Sequence, residues 1–144
     1  MPRAALVLIT ALVLMRQVVG AFHGHAHALL DIPMAHWRHL FINVVIGGAP
    51  FVALALLWLL RTPAAGWLVV AVVAAGSLFG LYFHFGPRNP DHIAMLPDLP
   101  GRALFIVTAW LLAGIELLTV AITAWFISTR IGTPERFRTT VAEE

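Results

Sequence analysis

The sequence has no cysteine and no lysine, and holds only two serines, two asparagines and one glutamine in 144 residues. Without cysteine there are no disulfides, no thiolate metal sites and no cysteine-held iron–sulfur clusters. Charged residues make up 11%, against about a quarter in an average soluble domain, so the chain cannot coat a water-facing surface. Its nine cations are all arginine and its formal net charge is only +2. No basic run of the kind that tracks phosphates occurs, which argues against nucleic acid as a partner. HExxH and phosphate-loop motifs are also missing. Ser77 stands seven residues from His84, about 10 Å along a helix, too far for a nucleophile–base pair. An enzymatic reading is therefore not favoured.

What fills the chain is apolar: 60% of residues, with a mean hydropathy of +0.90. A membrane crossing takes about 20 apolar residues in a helix. Four stretches qualify, at 4–22, 40–60, 67–86 and 103–128. The first is interrupted by Arg16 and Gln17. Its Met-Pro-Arg start and Val19-Gly20-Ala21 also fit a cleavable secretory signal, but it is read here as a retained span. The expected fold is an all-α integral membrane bundle of four transmembrane helices, up-down-up-down, with both termini on one side. Gly47-Gly48-Ala49-Pro50 is expected to kink or thin the second helix.

The spans leave outer loops at 23–39 and 87–102, a tight turn at 61–66 and a polar tail at 130–144. Arg3, Arg61, Arg130, Arg136 and Arg138 fall on one side, and Arg38, Arg88 and Arg102 on the other. That excess predicts cytoplasmic termini in a bacterial inner membrane. A chain this small leaves little room for a transport path, so a homo-oligomer or a place in a larger membrane complex is expected.

The seven histidines run against the composition, and all seven fall on the outer face: His23, His25, His27, His36, His39, His84 and His92. Imidazole is the commonest transition-metal ligand among side chains. His23-Gly-His25-Ala-His27 places all three rings on one side of an extended chain, or His23 and His27 on one face of a helix. His36 and His39 share a helical face. Asp31 reads as an N-cap and Pro33 as a first-turn residue of a helix starting near 32. Gly76, Gly80 and His84 form one stripe, where small residues let a neighbouring helix approach.

The expected metal site therefore centres on His36, His39 and His84. His23, His25, His27, His92, Asp31 or Asp91 complete it from the loops. Copper or zinc suits such a donor set, and Met34 and Met95 add thioethers for copper(I). A b-type haem between His39 and His84 is an alternative, as is a non-catalytic accessory subunit with helices serving as packing surface. Arg16 and Glu116 are the formal charges well inside spans, and such residues face the bundle interior and pair.

Overall fold

The computed structural model describes residues 1–131, whose regular elements are helical with no strand. Four long helices account for them: α1 (Arg3–Leu30), α2 (His36–Leu60), α3 (Pro63–Phe85) and α4 (Arg102–Ile131). Each is long and apolar enough to cross a membrane. The polar tail is outside the described residues from 132 onward.

The helices form a ring. Helix α1 packs on α4, α4 on α3, and α3 on α2. The ring closes where α1 meets the second half of α2, residues 49–60. One core cluster fills that closed end. Leu6, Ile9 and Val13 of α1 meet Ala53, Leu54 and Leu57 of α2, with Ala65, Val69 and Val73 of α3. A second cluster holds the other end, joining Ala26 and Leu30 of α1 to Phe105 and Ala109 of α4 and to Leu96 of the α3–α4 loop.

Helix α1 runs eight residues beyond the expected end at 22. Residues 21–30 contain alanine and leucine and no proline, so nothing stops the helix. Buried Ala26 and Leu30 prolong its apolar stripe. The expected loop 23–39 shrinks to residues 31–35. Asp31 is accordingly a C-cap and not an N-cap: its φ is 48°, and its N–H donates to Ala28 O at 3.4 Å. Helix α2 starts at His36 rather than near 32. Pro33 sterically disfavours a helical Ile32, and residues 32–35 stay non-helical.

Helix α2 is wound as a π-helix over Ile42–Gly48 before returning to α geometry at Ala49. The glycine pair and Pro50 explain this. Pro50 has no N–H, so Ile46 O lacks the donor an α-helix would supply four residues on. The α2–α3 turn is short because Arg61 adopts a left-handed φ of 53° and Thr62 caps α3, its hydroxyl accepting from the Ala65 N–H at 3.3 Å.

The α3–α4 loop is tied down rather than loose. Asn89 Nδ2 donates to Phe83 O and Pro87 O, and its Oδ1 accepts from the Asp91 N–H. The loop re-enters the helices at Gly101, whose φ is +108° and where a Cβ would lie 2.8 Å from Leu29 Cβ. Both conditions exclude other residues. Gly101→Ala should cost about 1–3 kcal/mol, read as a lower unfolding midpoint in detergent.

Candidate metal centre

His23 and His27 stand one helical turn apart on α1, and His84 lies in the last turn of α3. One ligand nitrogen from each falls within 4.8 Å of the others. Phe105, fully buried, backs all three rings, with centroids 4.5, 4.8 and 5.1 Å from those of His23, His27 and His84. Water is thereby excluded from that side of the cluster.

With the Thr108 proton on Leu104 O, the partners of the far ring nitrogens are consistent with one tautomer of each ring. Thr108 Oγ1 donates its single proton to Leu104 O at 2.6 Å. The same oxygen lies 2.9 Å from His23 Nδ1, so it accepts there and Nδ1 carries the hydrogen. His84 Nδ1 lies 3.2 Å from the Asp91 carbonyl oxygen, which can only accept, so that nitrogen also carries the hydrogen. A neutral imidazole has one N–H. Each Nε2 is then a bare lone pair, and the two Nε2 atoms face one another at 3.2 Å. Two lone pairs at that distance repel unless a cation lies between them. Nitrogens on a tetrahedral zinc at 2.0–2.1 Å are about 3.3 Å apart.

Asp91 is the hub of the supporting shell and is 2% exposed. Its carbonyl holds His84, and its Oδ2 accepts from Arg38 Nη1 at 2.6 Å. Among the described residues its Oδ1 has no hydrogen-bond partner and lies 3.8 Å from His27 Nδ1, which has none either. A shift of about 0.8 Å closes that pair to ordinary hydrogen-bond length. The third histidine would then have the same kind of outer acceptor as the other two. Burial pushes the Asp91 carboxyl up from its ordinary value, and Arg38 opposes that rise. Arg38 is itself placed by Phe83, whose ring centroid lies 4.7 Å from the guanidinium carbon.

Beside the triad a cavity of about 230 Å³ runs along the bundle to Arg16, Gln17 and Glu116. Arg16 Nε donates to Glu116 Oε1 at 2.8 Å, with both side chains buried. Arg16 Nη1 donates to Gln17 Oε1 and to Ile46 O, each at 2.7 Å, and Gln17 Nε2 donates to Gly47 O at 2.7 Å. The carbonyl freed by Pro50 thus becomes an arginine acceptor. Gly76 serves the same pair. A Cβ there would lie 2.5 Å from Arg16 Nη2, so the glycine makes room for a guanidinium rather than for a neighbouring helix backbone.

Comparison with known protein families, curated proteins and solved structures finds no match to this chain.

The structure gathers three of the histidines singled out in the sequence and leaves four outside the cluster. His36 and His39, expected at its centre, are exposed near the start of α2, although His39 reaches the rim of the cavity. His25 is exposed on the far face of α1. His92 lies in the α3–α4 loop, where its Nδ1 accepts from the Ala94 N–H. Asp31 is exposed as the α1 cap, Met95 is 52% exposed, and Met34 lines the cavity. Thr108 and Arg38 were not anticipated as functional residues. A threonine one turn beyond Leu104 commonly satisfies its hydroxyl on its own helix, so nothing local marks Thr108 as a histidine partner.

Proposed function

We propose that this chain is a small integral membrane protein, a four-helix bundle running up-down-up-down, that holds one transition metal ion on His23, His27 and His84. The facing Nε2 lone pairs of His23 and His84 carry this reading. Their 3.2 Å separation is close to a tetrahedral ligand edge, and the outer nitrogens are oriented as second-shell partners orient metal-bound histidine. Three protein ligands leave a fourth position open, the pattern of sites that exchange or react rather than of closed structural ones. That suits a protein that keeps a metal ready for a partner. Zinc and copper both fit the imidazoles, and Met34 on the cavity wall adds a soft donor that favours copper. A haem between His39 and His84 has no comparable support, since His84 directs its Nε2 at His23.

Bilayer lipid would cover the apolar exterior, where Leu59, Leu78 and Val52 are 78%, 68% and 60% exposed. The arginine excess supports cytoplasmic termini, with the triad end on the opposite side. A homo-oligomer or a larger membrane complex would supply the recipient of the metal.

Loading the purified protein with copper or zinc and removing excess metal tests the proposal. The expected result is one tightly held equivalent, with three imidazole nitrogens at about 2.0 Å by X-ray absorption. Failure to retain either metal would overturn the reading.

A further inference from the structure

The cavity beyond the triad is unexplained by metal binding. Glycines make it: a Cβ on Gly20 or Gly24 would meet nothing within 4 Å, and one on Gly80 only His84 Cδ2 at 3.8 Å. Glycine inside a helix costs about 1 kcal/mol relative to alanine, so the space is held open at the expense of helix stability. Its walls are otherwise mostly apolar, among them Phe79, Phe85 and Leu112.

Both ends of this apolar shaft offer positive character. At one end Arg16 is 1% exposed, and its Nη2 has no acceptor among the described residues. Glu116 already balances the guanidinium charge, so the spare N–H groups suit a neutral acceptor better than an anion. At the other end the Nε2 atoms of His23 and His84 face one another at 3.2 Å and, on the function proposed above, would hold the metal ion. Arg16 and His23 are seven residues apart on α1, about 10 Å along the helix. A flat ring with opposed carbonyl groups spans that distance with one polar contact at each end. The volume fits as well, since about 150 Å³ holds benzene and this cavity has about 230 Å³.

The way in is lateral. Gly24 and His39 at the rim are exposed, and α1 meets α2 through residues 49–60 and, from Arg16 and Gln17, at the Ile46 and Gly47 carbonyls, about two turns short of His23. The gap at the rim lies between two apolar helices and lets an alkyl tail extend into lipid. We propose that the cavity binds the head group of a lipophilic quinone, which enters from the bilayer between α1 and the first half of α2.

Calorimetric titration of the purified protein in detergent with decylubiquinone tests this, beside decylbenzene, which has a similar tail and no carbonyl groups. The expected result is saturable 1:1 binding of the quinone, at least about tenfold tighter than decylbenzene. Gly20→Leu and Gly24→Leu each add a side chain at a lining position where a Cβ meets nothing within 4 Å. Either variant that remains folded should lose quinone affinity by at least about tenfold. Absence of saturable quinone binding, equal affinity for decylbenzene, tighter binding of palmitate, or undiminished binding by a folded leucine variant would each overturn the proposal. Metal retention is measured separately on the same preparation, so failure of the metal reading and failure of quinone binding are read apart.

Discussion

Glu116→Ala should lower the unfolding midpoint in detergent by roughly 10 °C. The variant leaves Arg16 charged and buried, with its 2.8 Å carboxylate partner gone. Breaking a buried pair by removing one member typically costs about 3–5 kcal/mol, because the surviving charge stays desolvated. Removing both charges has the opposite logic. Arg16→Met/Glu116→Leu fills the space with apolar groups and should recover most of the loss, as such replacements do elsewhere. Recovery should be incomplete for a reason specific to this fold. Arg16 Nη1 also donates to Ile46 O, the carbonyl that Pro50 leaves without its helical donor, and that oxygen would stand unsatisfied in the double variant. An unsatisfied buried carbonyl costs about 1–3 kcal/mol. If Glu116→Ala melts with the parent protein, the pair does not hold the bundle together.

This network also shows what could be read without coordinates. Four helices followed directly from runs of apolar residues, because span length is set by a solvent boundary and leaves a plain mark in composition. Arg16 and Glu116 stood out for the same reason. Their surroundings were less legible. Gly76 reads as a helix-contact residue from spacing alone, and only the fold shows a guanidinium in its place. The triad was obscured by where α1 ends. Hydropathy falls after Phe22 because histidines begin there, and a drop in hydropathy resembles a helix terminus. Helicity depends instead on the absence of proline and on the apolar spacing of Ala26 and Leu30, both of which continue. Once α1 extends to Leu30, His23 and His27 share an inward face and His25 points away. Helices α1 and α3 both pack on α4, and the arrangement that brings His84 across to the α1 histidines is a tertiary fact with no local signature. The same holds for Asp91, whose carbonyl reaches His84 and whose carboxylate reaches Arg38 because Asn89 folds the loop back.

His84→Ala should reduce copper or zinc affinity by more than about a hundredfold, whereas His36→Ala/His39→Ala should change it by no more than about threefold. Removing a group that only hydrogen-bonds a metal ligand costs about 10–100-fold, and this variant removes a ligand outright. It deletes one of the two Nε2 atoms that face each other at 3.2 Å and leaves two histidines on a single helix. Thr108→Val should fall between these cases, at about tenfold. It keeps every ligand but withdraws the oxygen that accepts from His23 Nδ1, freeing the ring to change tautomer or rotate. The order His84, Thr108, then the His36/His39 pair separates a built site from a set of interfacial imidazoles, for which the exposed pair would matter most. Thermal unfolding supplies an independent reading. Metal at about a hundred times its dissociation constant adds about 2.7 kcal/mol to the parent protein and should add almost nothing to His84→Ala. Without metal the order should narrow, since removing His84 also removes a lone pair held against that of His23. A metal-dependent rise in midpoint that survives His84→Ala would place the ion elsewhere in the molecule.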